Sequence, residues 1–497
     1  MTIRAGPSAV AVTLAGVVAV AAFAPFGWYP LAVIALAVLF SQWSDDTPRR
    51  AMLHGALFGA GFFGAGISWV YISVNHYGHV HPLVAGLVTA LLVAFLSLYP
   101  ALLGYLLKRL RPVYSMAALV AVFPPAWVLS EWLRGWLFSG FPWLSIGTSQ
   151  IDGPLGGFAP VVGVPGISLI VGISAALLVA LLRGPRRLAS LLVLAAIWLG
   201  GQGLRQVEWT QPRGEALEVA LVQGNIAQER KWDPGNLMNT LARYTSLTFE
   251  VPGIDLYVWP ETAIPAFHHQ VEEDFLPHLE TQLREHDAAL LSGIPVLDRS
   301  SWEYYNAIVT LGDSQAFYYK QHLVPFGEYL PLRWLIGSGL DALAVPNADF
   351  SAGGKGQTLL TAAGVPVSSS ICFEVVFGEQ IIRDLPEAAL MVNVSNDAWF
   401  GDSLAPHQHL EMARMRARDT GRPMLRATNT GISAVIDQRG EIIARSEQFE
   451  TAVVTATVTP RQGATPYVRM GNWPALSVSV LLLLLPLVAG RWRRSGG

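Results

Sequence analysis

Three side chains in the second half of the sequence could form a nucleophilic site. Cys372, the only cysteine, ends an apolar run, and Glu261 and Lys320 each stand where another short apolar run ends. A thiol at a strand end can act as a nucleophile, a carboxylate can take its proton, and an ammonium can stabilise an oxyanion. Each residue alone has a plainer interpretation: a free cysteine is often buried and inert, a carboxylate after a strand often caps a helix, and a lysine is usually solvated.

The elements that would position these side chains alternate between short strands and polar helices from about residue 216 onward. This alternation favours an α/β sandwich with a mixed sheet. The predicted strands are 217–223, 255–259, 289–294, 307–311, 317–320, 367–372, 390–395, 424–428, 432–436 and 451–458. The predicted helices are 236–249, 271–286, 377–385 and 406–420. The segment 321–360 is predicted to form long loops.

The composition divides the chain into two parts with different chemistry. Of 497 residues, 52% are apolar and only 14% are charged, which excludes a disordered chain and an ordinary soluble enzyme. A net charge of −3 argues against a nucleic-acid partner, and a single cysteine excludes a disulfide framework and a cysteine-rich metal site. Residues 1–204 hold only 14 charged side chains, as is typical of a membrane domain, whereas residues 205–490 hold 52.

Eight apolar stretches could cross a bilayer as helices. They are 8–24, 28–44, 53–73, 83–107, 116–133, 163–182, 188–204 and 473–490. With the N-terminus inside, the inner segments carry twelve lysines and arginines, and the short outer loops carry one, Arg134. This bias predicts cytoplasmic termini and an outer, periplasmic position for residues 205–472 in a bacterial plasma membrane. The first stretch also resembles a cleavable signal peptide, whose removal would leave seven spans in the same orientation.

Short motifs surround the three candidate residues. They are Gln223-Gly224-Asn225-Ile226, Lys231-Trp232, Trp259-Pro260-Glu261-Thr262-Ala263, Val324-Pro325-Phe326-Gly327-Glu328-Tyr329, Ile371-Cys372-Phe373-Glu374, and a long block from Ser395 through His407-Gln408-His409 to Gly431. With the chain order Glu, Lys, Cys at spacings of 59 and 52 residues, this set resembles the apolipoprotein N-acyltransferase family of the nitrilase (carbon–nitrogen hydrolase) superfamily. The resemblance extends into the membrane part through Glu131-Trp132-Leu133-Arg134 and Gly140-Phe141-Pro142-Trp143.

The resemblance implies a two-step acyl transfer by a triad of Glu261, Lys320 and Cys372. A phospholipid, expected to be phosphatidylethanolamine, gives its sn-1 acyl chain to the cysteine. The thioester then passes that chain to the α-amine of the diacylglyceryl-cysteine that begins a lipoprotein. Glu261 would be the general base, and Lys320 with the Phe373 N–H would bind the oxyanion. No cofactor or metal is expected, and the eight spans favour a monomer.

Four further residues would support this triad. Glu328 and Glu374 resemble the family's supporting acids, which would keep Lys320 charged and oriented, although Glu374 could equally be a solvated side chain beside the nucleophile. Trp232 would form an apolar wall for an acyl chain, or would be a core tryptophan. Some family members have tyrosine where this chain has Phe373, so here the backbone N–H rather than a hydroxyl would contribute to the chemistry.

The predicted architecture is a membrane domain of eight helices that carries an extracytoplasmic αββα sandwich. Its parts are seven helices in 1–204, a linker at 205–215, the catalytic domain at 216–460, a linker at 461–472, the eighth helix at 473–490 and a basic cytoplasmic tail at 491–497. Aromatic and apolar side chains in the loop 131–162 and in 321–345 (Trp334, Leu335 and Leu340) are expected to line an opening at the bilayer surface, or only to anchor helices.

Other functions are compatible with parts of this pattern. A membrane-anchored amidase would use the same triad and release its acyl group to water. A non-catalytic lipid-binding protein with a degenerate nitrilase fold would be expected to lack a triad member, and all three are present. A coupled transporter usually needs charged residues inside its spans, and these spans hold almost none.

Overall fold

The structure, a computed structural model, describes residues 7–110, 116–312, 314–329 and 350–494 and forms two compact units. The helical unit comprises Met1–Tyr71, His81–Glu208 and Arg469–Gly497. The sandwich unit comprises Ile72–Val80 and Trp209–Val468 and contains the β-sheets. The predicted opening residues Trp334, Leu335 and Leu340 lie outside the described residues.

The helical unit consists of apolar helices joined by short connections. Its α-helices are Pro7–Val20, Pro30–Asp45, Pro48–Gly66, Trp69–Ile72, Pro82–Leu110, Met116–Arg134, Ala159–Arg183, Arg187–Leu204 and Trp473–Arg494, with 3-10 turns at Leu137–Ser139, Thr148–Gln150 and Pro154–Phe158. Each predicted stretch coincides largely with a helix. The third, however, is not continuous over 53–73, because its helix ends at Gly66 and the chain bends by 52° into the segment Trp69–Tyr77.

The described helices differ in whether they are long and apolar enough to cross a membrane. Three of them are, namely Pro82–Leu110, Pro154–Arg183 and Arg187–Leu204, and the bent pair would count as a fourth if it forms one span. Two other apolar helices among the described residues, Pro7–Val20 and Pro30–Asp45, are shorter, with 14 and 16 residues. Eight spans therefore remain a prediction.

Glycines allow the helix Pro48–Gly66 to lie directly against two neighbouring backbones. A Cβ atom on Gly55 would lie 2.2 Å from the carbonyl oxygen of Pro100, and one on Gly61 would lie 2.3 Å from that of Thr13. Any larger residue at either position would push the helices apart.

In the part of the sandwich unit that the structure describes, there are two six-stranded sheets and a two-stranded ribbon. Its strands are β1 Gln211–Pro212, β2 Leu217–Gln223, β3 Leu256–Val258, β4 Ala289–Asp298, β5 Glu303–Leu311, β6 Ala316–Tyr319, β7 Leu360–Ala362, β8 Val365–Ile371, β9 Leu390–Ser395, β10 Met424–Thr428, β11 Ala434–Ile436, β12 Ile442–Arg445, β13 Ala452–Val458 and β14 Arg461–Gln462. The first sheet has the order β13-β2-β3-β4-β5-β6 and the second β12-β11-β10-β9-β8-β7, while β1 pairs with β14. Both sheets are mixed, as β2, β3 and β4 run parallel and so do β8, β9 and β10.

Helices cover the outer faces of the two sheets. They are Leu237–Phe249, His268–Val271 and Phe275–Glu285 on the first sheet and Gly378–Ile381 and Leu404–Thr420 on the second. The unit also contains the short helices Gln228–Lys231 and Pro466–Met470, short 3-10 turns and a π-helical turn at Ser73–Tyr77. One buried cluster joins the inner faces of the sheets, with Leu221 and Val258 from the first and Val392 and Leu425 from the second. Two other clusters join each outer face to its helices. The predicted αββα layering of this part is confirmed.

The sandwich unit includes a segment from far earlier in the chain. The Ser73 hydroxyl donates a hydrogen bond to the Trp399 carbonyl at 2.7 Å, and the rings of Tyr77 and Trp399 meet edge-on with centroids 6.2 Å apart. Ile72 lies close to Gly401, where an added Cβ atom would come within 3.1 Å of its side chain. The loop that follows β9 is therefore supported from the first part of the chain.

Candidate active site

Glu261 follows β3 and its carboxylate is held in one orientation. The Asn306 amide donates to Oε1 at 2.7 Å, and the Asn396 backbone N–H donates to Oε2 at 2.8 Å. The buried Lys231 ammonium donates to the Glu261 carbonyl at 2.9 Å, which fixes the backbone as well. An acceptor fixed in this way is suited to removing a proton in a defined direction.

Lys320 follows β6 and is fully buried between two carboxylates. Its Nζ atom lies 2.7 Å from Glu328 Oε1 and 3.7 Å from Glu261 Oε1. Burial alone would lower the pKa of this lysine, but the charges of Glu328 and Glu261 outweigh burial and raise its pKa, so the group stays an ammonium. Glu328 thus has the contact that was predicted for it.

Cys372 follows β8 directly and adopts a backbone conformation that is unusual for a residue with a side chain. Its φ angle is +53°, and its side chain is half-buried. Burial raises the pKa of the thiol to about 12, with a further contribution from the charge of Glu261 and an opposing one from Lys320. The resting group is therefore a neutral thiol that needs a base before it can attack.

The three predicted triad residues thus converge where β3, β6 and β8 end. The Glu261–Lys320 pair is in direct contact, and both charges act on the Cys372 thiol. The arrangement offers a nucleophile, an oriented proton acceptor and a fixed positive charge, the groups that acyl transfer through a thioester requires.

Models of known protein families match both parts of the chain. Residues 15–177 match the model of the apolipoprotein N-acyltransferase N-terminal domain, and residues 218–467 match that of the carbon–nitrogen hydrolases. Proteins named apolipoprotein N-acyltransferase are 48% identical in Methylococcus capsulatus, over 92% of this chain and 91% of theirs, and 46% identical in Nitrosomonas europaea, over 94% and 95%. The chain belongs to the apolipoprotein N-acyltransferase family. It is an acyltransferase with a carbon–nitrogen hydrolase domain. Among solved structures, Nit3 of Saccharomyces cerevisiae, a nitrilase-superfamily member, aligns with a TM-score of 0.39 and 20% identity over 50% of this chain and 91% of that one.

Glu374 in this member of the N-acyltransferase family is fully buried, so the alternative of a solvated side chain is wrong. Its carboxylate accepts five hydrogen bonds instead. Three reach Oε1, from the Gln321 and His322 backbone N–H groups and the Gln380 amide; two reach Oε2, from the Ile371 N–H and the Tyr318 hydroxyl, with distances of 2.7–3.0 Å. Glu374 therefore ties the chain beside Lys320 to the chain beside Cys372, rather than pairing with the Lys320 ammonium.

Phe373 and Trp232 differ in their surroundings. The Phe373 ring is buried, with its centroid 5.1 Å from that of Phe377 and 6.1 Å from that of His322. Trp232, next to the buried Lys231, is 42% exposed, so the alternative of a core tryptophan is wrong. An exposed tryptophan beside the site is compatible with the apolar wall that the N-acyltransferase resemblance implies.

Several residues that contact the triad were not assigned a role from the sequence. Asn306 contacts both Glu261 and Glu328, and the Asn396 N–H reaches Glu261. Asn393 and His409 hold the carbonyl of Cys372. His409 and Asn396 lie inside the motif block that begins at Ser395, so the sequence marked both positions. A motif does not show, however, which groups these residues contact.

Proposed function

We propose that this acyltransferase carries a phospholipid acyl chain on Cys372 and delivers it to the N-terminal amine of lipoproteins. Family membership over nearly the whole chain supports lipoprotein N-acylation as the overall reaction. The observation that carries the mechanism is the buried Glu261–Lys320 pair beside a thiol that does not ionise unaided. Such a site activates its nucleophile only with help from a neighbouring base.

In the first half-reaction, Cys372 attacks the sn-1 ester of the phospholipid. Glu261 takes the thiol proton as the S–C bond forms, and the Lys320 ammonium and the Phe373 N–H stabilise the oxyanion. Collapse of the tetrahedral intermediate breaks the C–O bond. Glu261 then returns the proton to the glycerol oxygen, and a lysophospholipid leaves an acyl thioester on the enzyme.

In the second half-reaction, the α-amine of a diacylglyceryl-cysteine attacks the thioester carbonyl. Glu261 takes a proton from the amine nitrogen, the same two donors hold the oxyanion, and the C–S bond breaks. The proton passes from Glu261 to the departing sulfur. The products are an N-acylated lipoprotein and the original thiol, so no cofactor is needed.

Both proposed substrates are lipids, which supports a site that is open to a membrane. Each acyl methylene brought into water would cost about 0.8 kcal/mol, so the site must receive its substrates from a bilayer. Exposed Trp232 and Phe326 lie close in sequence to Lys231 and Glu328 and offer apolar surface to a chain. We further propose phosphatidylethanolamine as donor, a monomer, eight spans in a bacterial inner membrane, cytoplasmic termini and a periplasmic catalytic domain, with the domain boundaries predicted above.

Intact mass spectrometry of the purified full chain tests this function. After incubation with phosphatidylethanolamine of defined chains, the protein should gain one sn-1 acyl group that hydroxylamine removes, whereas Cys372→Ala should gain none. A diacylated lipopeptide should then discharge the adduct onto its amine. Discharge to water alone would favour the amidase. A folded protein without an adduct on Cys372 would contradict the thioester mechanism and favour the lipid-binding protein.

A further inference from the structure

The backbone carbonyl of Cys372 is held by two fully buried side chains. The Asn393 amide donates to it at 3.2 Å, and His409 Nε2 lies 3.2 Å from it. A peptide unit is planar and trans, so the Cys372 carbonyl and the Phe373 N–H share one plane and point in opposite directions. Two donors that fix the carbonyl therefore also fix the direction of the Phe373 N–H.

Arg426 holds His409 in one state. Its Nη2 atom lies 2.9 Å from His409 Nδ1 and also donates to Asp397 Oδ2 at 2.8 Å. Asp397 Oδ1, 3.2 Å from Nδ1, is an acceptor and adds no hydrogen bond to an unprotonated Nδ1. Burial and the charge of Arg426 lower the pKa of His409, which makes the ring neutral near pH 7. A carbonyl can only accept, so the one ring proton is on Nε2 and Nδ1 accepts from Arg426.

Asn393 is fixed by the same arginine. Its Oδ1 accepts from Arg426 Nη1, which leaves its Nδ2 group directed at the Cys372 carbonyl and at the Ser370 hydroxyl. Arg426 therefore orients both donors at once. All of these side chains are fully buried, where a hydrogen bond is stronger than in water and its neighbours polarise one another.

We propose that His409, together with Asn393, is a positioning residue for oxyanion stabilisation: it aims and polarises the Cys372–Phe373 peptide so that the Phe373 N–H meets the developing charge. The inference deepens the proposed function and rests on it. Hydrogen bonding at the carbonyl draws electron density from the N–H of the same peptide and makes it a better donor. A donor that is already aimed requires no reorganisation as the charge forms.

Two amide variants of His409 separate this role from simple packing. In His409→Gln the side-chain nitrogen can reach the position of Nε2 and donate to the carbonyl, whereas in His409→Asn the shorter amide cannot. Asn393→Asp is a second, isosteric variant that keeps an oxygen for Arg426 and removes the donor to Cys372. Each full-length variant is compared with the unmodified chain in two reactions of Cys372. Acylation by phosphatidylethanolamine passes through an oxyanion, whereas alkylation by iodoacetamide does not.

Losing one oxyanion donor slows a reaction by about 100- to 1000-fold. His409→Asn and Asn393→Asp leave the Phe373 N–H in place but less well aimed, so we expect acylation to slow by about 10- to 100-fold, with KM for the phospholipid unchanged. His409→Gln should stay within about threefold, and alkylation should stay within about twofold in every variant. Equal acylation rates in His409→Asn and His409→Gln, or a parallel loss of acylation and alkylation, would overturn this inference but leave the proposed function intact. An unmodified chain that alkylates but never acylates would overturn the proposed function and the inference with it.

Discussion

Replacing Glu374 by glutamine removes a charged acceptor that five donors share. The carboxylate accepts from three groups at Oε1 and two at Oε2. An amide placed with its nitrogen at the Oε2 position faces the Ile371 N–H, although the Tyr318 hydroxyl can rotate to accept from it. With its nitrogen at the Oε1 position, it faces the Gln321 and His322 N–H groups. At least one backbone N–H loses its bond to this side chain in either case.

Each such loss costs about 1–3 kcal/mol, and the remaining bonds lose their charge, so Glu374→Gln should lower the free energy of unfolding by about 2–4 kcal/mol. For a unit of this size, that corresponds to a fall of roughly 5–12 °C in the unfolding midpoint. Thermal unfolding of the full chain in detergent, followed by tryptophan fluorescence, measures the change. Tyr318→Phe is the matched control, because it removes one donor, leaves the carboxylate, and should cost at most about 1 kcal/mol.

The result that would refute this reasoning is an unchanged midpoint. If Glu374→Gln unfolds within about 2 °C of the unmodified chain, the five contacts do not hold the two strand ends together. If the midpoint is unchanged while acylation of Cys372 is lost, Glu374 acts on the chemistry itself, as a supporting acid would.

Three other changes test the site. Glu328→Gln removes the carboxylate charge 2.7 Å from the buried Lys320 ammonium, so that among the described residues its nearest carboxylate is Glu261 at 3.7 Å. It should lower the free energy of unfolding by about 3–5 kcal/mol in thermal unfolding, and an unchanged midpoint would contradict the burial of this charge. Asn306→Ala removes the amide that donates to Glu261 at 2.7 Å. Because a hydrogen bond to a charged group is worth about 1.5–3 kcal/mol, acylation of Cys372, followed by mass spectrometry, should slow about 10- to 100-fold. Full activity would show that Glu261 does not need this hydrogen bond. The Cys372 thiol, with a pKa of about 12, should show no thiolate absorbance at pH 9 in a difference titration against Cys372→Ser, and a thiolate signal below that pH would contradict a neutral resting thiol. Because the thiol ionises at lower pH in the unfolded chain, the unmodified chain should lose stability relative to Cys372→Ser as the pH rises above about 9.

The sequence pattern predicts the positions of the triad well because those positions depend on local structure. An apolar run that ends in a polar residue marks a buried strand and its end. The strands before Glu261, Lys320 and Cys372 each end within one residue of the predicted position. The hairpin of β7 and β8 was missed, because β7 has only three residues. Its two-residue turn places Ala363 at a φ angle of +48°, a conformation that alanine rarely adopts.

The contacts that Glu374 and His409 make could not be predicted from the sequence, because they depend on which strands and helices become neighbours. Glu374 is two residues from the nucleophile, but four of its five donors come from other elements. His409 is on a helix 37 residues after Cys372 and meets its carbonyl only because that helix covers the second sheet. The break after Gly66 could not be predicted either, because the partners of Ile72–Val80 lie in the sandwich unit, far along the chain.

The inclusion of Ile72–Val80 in the sandwich unit limits how freely this protein can be divided. A water-soluble version excised at residues 209 and 468 would leave the Trp399 carbonyl without the Ser73 hydroxyl and its ring without Tyr77. Trp399 lies three residues after Asn396, whose N–H orients Glu261, so the loss of these contacts would disturb the loop that follows β9. Chimaeras between relatives should therefore take residues 72–80 and 209–468 from the same parent, because the two segments pack together in one unit.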